Sequence, residues 1–215
     1  KVPLENIIPI YNEGVKVIKL LEQFQVSIKT KFRVLFCYDL DSDNIFHYKN
    51  DFNKFSFEIV LVKNSSTGPC TAVKEGLNCG NSDCVIVYPA DDFLNINILD
   101  KMYAAFNTNS DIVVASRFIK GGSMKGCPLI KSILVRVAST TLYLLSSIPV
   151  RDASNGFRLF SRKILEKIEI KSKVGFTYSI ELLVKATYLN YKISEVPCKW
   201  FERKTGKSSF KVFKW

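Results

Sequence analysis

Acidic side chains follow an apolar stretch that is typical of a buried strand. Asp39, Asp41 and Asp43 come directly after the run at 32–38. At the carboxyl end of a strand, such carboxylates can accept hydrogen bonds from a base or a ribose, or help bind a metal. The alternative is a simple turn, because Asp and Ser bond readily to nearby backbone groups. A calcium-binding loop is excluded, because its glycine and its distant glutamate are missing.

A second acidic pair, Asp91 and Asp92, follows the strand-like run at 84–88 and the dipeptide Pro89-Ala90. Adjacent carboxylates suit a hard divalent cation, Mg²⁺ or Mn²⁺, which would neutralise a diphosphate leaving group. The alternative is an acidic pair that complements the dipole of the following helix.

The second half of the chain contributes four further charged candidates: Arg117, Asp152, Arg158 and Arg203. Guanidinium groups bind phosphate oxygens in a bidentate manner, and these residues lie in or beside Gly-containing loops. They are therefore predicted to share a phosphate-binding site. The alternative for any single arginine is an ion pair at the surface.

Strand-like and helix-like runs alternate in the first half. Strands are predicted at 5–11, 32–38, 57–62, 84–88 and 112–116, and helices at 15–24, 69–77 and 96–106. This alternation predicts a Rossmann-like α/β fold, in which a mostly parallel central sheet is flanked by helices on both faces. Ligands of such sheets bind beyond the carboxyl ends of the strands, where the acidic residues lie.

The second half predicts a long helix at 129–147, a helix near 178–189, a strand near 193–197 and a basic tail. The long helix carries a narrow polar stripe and is otherwise apolar. It is expected either to rest in a membrane interface or to pack on the sheet. The absence of repeats and linkers predicts one domain over 1–215.

Composition excludes some classes of protein. Apolar residues make up 47% and charged residues 24%, which is typical of a globular chain. No apolar run reaches the roughly 18 residues of a spanning helix, and six cysteines without a CxxC pair indicate a reduced, cytoplasmic setting.

Residues 1–116 carry 11 Lys+Arg and 14 Asp+Glu, whereas residues 117–215 carry 20 Lys+Arg and 6 Asp+Glu. The net charges of −3 and +14 predict a nucleotide-binding half and a basic half that meets anions.

Five segments in this order resemble the family 2 glycosyltransferases with the GT-A fold, in particular the polyprenyl-phosphate sugar transferases such as dolichyl-phosphate mannose synthases. They are 8–13 (IPIYNE), 38–44 (YDLDSDN), 116–122 (SRFIKGG), 152–158 (DASNGFR) and 201–208 (FERKTGKS). The resemblance covers essentially the whole chain.

The resemblance implies a nucleotide-sugar site formed by Pro9, Tyr11, Asn12, Glu13, Asp39, Asp41, Ala90 and Asp91. It also implies that Asp91, Asp92, Arg117, Asp152, Arg158 and Arg203 are catalytic, the last in a basic loop that closes over the site. The family's metal motif is usually D-x-D; here Pro89 occupies its first position, so metal binding is expected to rest on Asp91 with help from Asp92.

The implied reaction is inverting transfer of a sugar from a nucleoside-diphosphate sugar. A polyprenyl phosphate would be an anionic nucleophile and would need no strong base, which fits a chain whose only histidine, His47, lies outside every motif. The expected location is peripheral, at the cytoplasmic face of a membrane. The alternatives are transfer to a saccharide hydroxyl, a catalytically silent nucleotide-sugar binder and, without any recognition motif to favour it, a nucleic-acid-binding domain.

Overall fold

The computed structural model describes residues 2–201, apart from the side chain of Lys131. Arg203 and the rest of the predicted basic loop at 202–208 lie outside the described residues. In the described part, one seven-stranded sheet joins the two halves of the chain in the order β3-β2-β1-β4-β7-β5-β8. These strands are β1 (Leu4–Ile10), β2 (Phe32–Tyr38), β3 (Ile59–Lys63), β4 (Cys84–Val87), β5 (Ile112–Ser116), β7 (Arg158–Ser161) and β8 (Ile193–Pro197).

The sheet is parallel except for β7, which pairs antiparallel with both β4 and β5. Strand β1 lies between β2 and β4, and its side chains are buried on both faces except for Pro9. That double burial explains why the apolar residues at 7–10 of β1 are consecutive rather than alternating. A separate parallel ribbon pairs β6 (Ser123–Lys125) with β9 (Lys199–Phe201).

Helices cover both faces of the sheet. They are α1 (Gly14–Ser27), α2 (Pro69–Cys79), α3 (Leu99–Asn107), α4 (Leu129–Leu145), α5 (Arg162–Lys167) and α6 (Thr177–Tyr188), with 3₁₀ turns at Asn44–Lys54 and Ile96–Ile98. Helices α1 and α3 pack on one face, and α2, α5 and α6 on the other, so the core consists of two layers. The predicted mostly parallel α/β fold with helices on both faces is confirmed.

The predicted strands and helices of the first half occur within two residues of the expected bounds, except for the end of helix α1 and the start of helix α3, where Ile96–Ile98 forms a 3₁₀ turn. The sequence did not predict the 3₁₀ stretch Asn44–Lys54, strand β7, helix α5 or the β6–β9 ribbon. The ribbon strands have only three residues each, which is too short for an alternating pattern to stand out.

Helix α4 differs from the other long helices because its apolar side chains face outward. Ser139 is fully buried, whereas seven apolar residues are more than half exposed: Leu129, Ile130, Ile133, Leu134, Val137, Leu144 and Leu145. The expectation that this helix packs its apolar surface on the sheet is therefore wrong. Within residues 2–201, no helix is both long enough and apolar enough to cross a membrane.

Candidate functional site

The candidate site lies at the carboxyl edge of the sheet, where the strand order reverses. Strands β2 and β4 lie on opposite sides of β1, so the loops that leave β1 and β4 diverge and leave a crevice between them. Open α/β sheets bind ligands in such crevices. The loops on either side of this crevice contain residues 11–13, after β1, and residues 88–92, after β4.

One wall of the crevice is held by hydrogen bonds between the loops after β1 and β2. The buried carboxylate of Asp43 accepts from the backbone N–H of Asn12 at 2.8 Å and from that of Ile45 at 2.9 Å. Asn44 Oδ1 accepts from the Gly14 N–H at 2.8 Å, and Asn44 Nδ2 donates to the Asn12 carbonyl at 3.1 Å. Asn12 itself has a left-handed backbone with φ of 54°. Asp43 and Asn44 therefore fix the position of Asn12.

The sequence reasoning gave Asp43 and Asn44 no separate role, although both lie in the acidic segment at 38–44. Their contacts join residues about thirty positions apart, and a turn-forming side chain looks the same in sequence whether it bonds locally or across the fold.

Asp39 and Asp41, predicted for the base and ribose, have different surroundings. Asp39 is half-buried, and its carboxylate accepts from Asn64 Nδ2 at 2.7 Å and from the Gly68 N–H at 3.1 Å. It thus joins the end of β2 to the turn before α2. Asp41 is exposed and forms an ion pair with Lys63. Both carboxylates lie at the edge of the crevice, within the segment that the sequence predicted.

The remaining predicted nucleotide-site residues surround the end of β1 and the turn after β4. Pro9 is half-buried on β1, and Tyr11 is 62% exposed at the mouth of the crevice. Glu13 accepts a hydrogen bond from Lys16 Nζ at 2.7 Å. Ala90 is buried beneath the acidic turn. An exposed aromatic ring at the mouth provides a surface on which a base could stack.

The two carboxylates of the acidic turn are not equivalent. Asp92 Oδ1 accepts from the backbone N–H groups of Leu94 at 2.8 Å and Asn95 at 3.0 Å, and Oδ2 accepts from Asn95 Nδ2 at 2.6 Å. Burial raises the pKa of the Asp92 carboxyl, and these hydrogen bonds offset only part of that effect. Asp92 therefore shapes the turn, and Asp91 beside it is half-buried.

Asn95 connects the acidic turn to the second sheet. Its Nδ2 also donates to the Lys199 carbonyl at 2.7 Å, and its Oδ1 accepts from the Lys199 N–H at 2.8 Å. Lys199 begins β9, which leads directly into the predicted basic loop at 202–208. The sequence reasoning missed Asn95, because no local pattern shows that residues 104 positions apart meet.

The described residues do not form a complete metal cage. Among residues 2–201, no group of three or more His, Cys, Asp or Glu side chains is positioned to hold an ion. Mg²⁺ is commonly held by one or two carboxylates together with substrate phosphates and water. Asp91, with a contribution from Asp92, fits that arrangement, provided that a bound diphosphate supplies the remaining oxygens.

The structure brings Arg117 and Asp152 together beside this edge. Arg117 follows β5, and its Nε and Nη2 donate to the two Asp152 oxygens at 2.7 and 2.8 Å, while its backbone N–H donates at 2.9 Å. The Asp152 side chain is fully buried and that of Arg117 is 10% exposed. Arg117 Nη2 also donates to Ser154 Oγ at 2.7 Å. This pair fixes the loop before β7 against the end of β5.

Arg158 does not fit the expected role as a phosphate ligand. Its side chain is fully buried at the start of β7, where it donates to the backbone carbonyls of Ala153 and Ser179. Burial lowers the pKa of the guanidinium to about 10, so the group stays charged at neutral pH. The sequence could not reveal this placement, since arginine is rarely fully buried. Arg158 therefore supports the loop beneath the site.

Comparisons with known proteins agree with this architecture. A protein-family model, "Glycosyl transferase family 2", matches residues 6–169. The chain is 27% identical over 129 residues to the polyprenol monophosphomannose synthase of Mycolicibacterium smegmatis, covering 54% of this chain and 49% of that protein. It is 24% identical over 208 residues to the dolichol-phosphate mannosyltransferase of Pyrococcus furiosus, covering 95% of this chain and 58% of that protein. The chain thus spans about half the length of these curated relatives.

Among solved structures, the chain is similar to glucosyl-3-phosphoglycerate synthase from Mycobacterium tuberculosis in complex with Mn²⁺, UDP-glucose and phosphoglyceric acid. The TM-score is 0.70 at 13% identity, covering 99% of this chain and 75% of that chain. At this level of identity, the likeness concerns the fold alone.

Proposed function

The chain belongs to glycosyl transferase family 2, and we propose that it transfers a sugar from a nucleoside-diphosphate sugar to a polyprenyl phosphate. The predicted family, the GT-A fold and the assignment as a glycosyltransferase are confirmed. The donor, the acceptor and the location are our proposal. The observation that carries it is the crevice at the reversal of strand order, with the acidic segment at 38–44 on one side and Asp91 on the other.

In this proposal the nucleotide lies over the ends of β1 and β2, with the base near Tyr11 and Asp39 and the ribose near Asp41. The diphosphate then extends toward Asp91, after β4. A divalent cation held by Asp91 and the diphosphate oxygens would neutralise charge on the leaving group. The side chains of Asp43, Asn44 and Asp92 keep the two turns in place, which limits reorganisation when the donor binds.

The reaction is a single displacement at the anomeric carbon. An oxygen of the acceptor phosphate forms a bond to this carbon as the bond to the diphosphate oxygen breaks, and the configuration inverts. The nucleophile is already anionic, so no proton has to be removed. The only histidine, His47, is exposed on the 3₁₀ stretch Asn44–Lys54, outside the crevice, which agrees with a reaction that needs no imidazole base.

A lipid acceptor is supported by the outward apolar surface of α4. An exposed apolar surface of this extent on a basic half favours contact with a lipid surface. The two curated relatives are named as enzymes that act on polyprenol and dolichol phosphates. None of the six cysteines forms a disulfide, which is consistent with work at the cytoplasmic face of a membrane. We propose no nucleic-acid partner.

The donor site is tested by thermal unfolding with UDP, GDP, UDP-glucose and GDP-mannose, each with and without Mn²⁺. A ligand present at a hundred times its Kd stabilises the native state by about 2.7 kcal/mol, which raises the Tm of a chain of this size by roughly 5–10 °C. We expect one nucleotide to give a Mn²⁺-dependent shift that Asp91→Asn abolishes and that Asp51→Asn, a matched change away from the crevice, retains. No shift with any nucleotide would refute the donor site.

The acceptor is tested by transfer of radiolabelled sugar from the donor identified in this way. We expect label in the organic phase with a polyprenyl phosphate and none with the corresponding polyprenol, which lacks the anionic nucleophile. Transfer to a saccharide hydroxyl instead would contradict the lipid acceptor. Nucleotide binding without any transfer would identify a silent nucleotide-sugar binder.

A further inference from the structure

A groove of about 420 Å³ lies between helix α4 and the segments that flank the Arg117–Asp152 pair. It is lined by Phe118, Arg136, Thr140, Tyr143, Leu144 and Arg151. None of these residues belongs to the two acidic turns or to the predicted nucleotide-sugar site. The proposed placement of the nucleotide sugar therefore leaves this groove unassigned.

The groove contains two guanidinium groups, each held over an aromatic ring. Arg136 Cζ lies 4.9 Å from the centroid of Phe118, and Arg151 Cζ lies 5.8 Å from the centroid of Tyr143. Stacking fixes the plane of a guanidinium while its N–H groups stay available at the edge. Both arginines are exposed.

No carboxylate of residues 2–201 lies within ion-pair distance of either guanidinium in the groove. Glu195, on β8, is engaged with backbone instead, because its Oε1 accepts from the N–H groups of Arg151 at 3.0 Å and Asp152 at 3.3 Å. Arg117 also lies over Phe118, at 5.2 Å, but its guanidinium is paired with Asp152. The groove therefore presents two positive charges that the described residues do not neutralise.

The rim of the groove is apolar on the α4 side. Leu144, which lines the groove, is 70% exposed, and other apolar side chains of α4, among them Val137 and Leu145, are more than half exposed. A ligand that matches both features carries a phosphate for the guanidinium groups and an apolar chain that continues along α4. Such a ligand is a lipid phosphate.

The position of the groove distinguishes a membrane phospholipid from the acceptor. Arg151 is fixed to β8, the edge strand, and two strands separate β8 from β4. With a strand spacing of roughly 4.8 Å, this places β8 about 14 Å from β4, where the acidic turn begins. A reacting phosphate must come within about 3.5 Å of the anomeric carbon, so this separation favours a lipid other than the reacting acceptor at Arg151.

We propose that this groove binds the phosphodiester headgroup of an anionic phospholipid of the bilayer, with its acyl chains lying against α4. The inference rests only on the membrane location in the proposed function. Headgroup binding at the edge strand would orient the carboxyl edge of the sheet toward the membrane surface, from which a lipid acceptor would enter.

The test is flotation with phosphatidylcholine vesicles, with and without phosphatidylserine. The test variant is Arg136→Gln/Arg151→Gln. The matched control is Lys163→Gln/Lys167→Gln, which removes the same charge from α5. This helix begins where the antiparallel strand β7 ends, at the amino ends of the parallel strands. We expect the test variant to lose affinity for phosphatidylserine vesicles about tenfold or more, and the control to bind like the parent. Equal losses in both variants would show that only net charge matters and would overturn the site.

Two further measurements separate the site from its rivals. Arg136→Lys/Arg151→Lys keeps the charge but removes the planar, stacked groups, so we expect it to remain several-fold weaker than the parent; binding equal to the parent would overturn the proposal. The KM for a short-chain polyprenyl phosphate in detergent, without vesicles, should be unchanged in the Gln variant. A raised KM would assign the groove to the acceptor.

The thermal unfolding midpoint without nucleotide is the folding control for every variant in this series, and the nucleotide-induced shift reports the donor site. The nucleotide shift also distinguishes the two proposals. If the parent shows no nucleotide shift, and vesicle binding is lost only in the Arg136→Gln/Arg151→Gln variant, the transferase proposal fails while the headgroup site stands.

Discussion

Replacing Asp152 by Asn tests the buried ion pair that holds the loop before β7 against the end of β5. The Asp152 carboxylate is fully buried and accepts three hydrogen bonds from Arg117 and one from Ser154. Asn keeps the shape but removes the negative charge and presents an NH₂ group where acceptors were needed. The Arg117 guanidinium, with its side chain only 10% exposed, then loses its counter-charge.

Removing one partner of a buried pair costs 3–5 kcal/mol, since the remaining charge is left without compensation. The Asn side chain can still accept the hydrogen bond from the Arg117 backbone, so we expect a cost near the lower end, about 3 kcal/mol. A chain of this kind has a total stability of about 5–15 kcal/mol, and the variant should therefore still fold at 25 °C.

The assay is urea unfolding of the parent, Asp152→Asn and the control Asp41→Asn. The control breaks an ion pair whose side chains are 67% and 54% exposed, and it should cost less than about 1 kcal/mol. The double variant Asp152→Asn/Arg117→Met should lose less than the sum of the single changes, because it leaves no buried charge. The nucleotide-induced thermal shift should persist, since the crevice is formed by other strands.

A cost for Asp152→Asn as small as that of the exposed control would refute this reasoning. Additive losses in the double variant would also refute it, because they would mean that the two side chains stabilise the fold independently.

Two further predictions concern other parts of the fold. Gly14→Ala should lower the unfolding free energy by about 1–3 kcal/mol, because an added Cβ would lie 2.6 Å from the Tyr48 ring; urea unfolding measures this, and an unchanged midpoint would contradict it. Burial acts to raise the pKa of Glu181, but hydrogen bonds from Lys185 and from Ser172 and its neighbouring backbone outweigh this effect. The pKa is therefore lowered to about 2. Because the folded-state pKa is depressed, its stabilisation is present at pH 7 and lost as the pH falls from about 4.5 toward 2. The difference in unfolding free energy between the parent and Glu181→Gln should therefore shrink over that range, and a constant difference would refute this origin.

Much of the fold was predictable because the responsible signals are local. The buried parallel strands β1, β2, β4 and β5 appear in sequence as apolar runs, and α2 begins at Pro69 with Gly68 in a conformation that favours glycine. The order of motifs also indicated the family. These features depend on residues within about ten positions of one another, so sequence alone captured them.

Helix α4 shows where local patterns stop being informative. Its apolar periodicity predicted a helix, and the bounds agree to within two residues. Whether the apolar side packs on the sheet or faces outward depends on what the rest of the chain already covers. Helices α2, α5 and α6 fill that face of the sheet, and α4 is left with its apolar residues exposed.

The sequence by itself determined the strand ends at which chemistry is possible, with Asp39, Asp91 and Arg117 close after them, and it singled out Asp152 in a loop. Only the tertiary structure decided which of these charges are engaged with other groups. It paired Arg117 with Asp152, 35 positions away, and buried Arg158 against the backbone carbonyl of Ser179, 21 positions away. The reason is physical: residue type and spacing fix which groups can ionise and bond, whereas partners that are 20 to 100 residues away come within hydrogen-bond distance only when the sheet assembles.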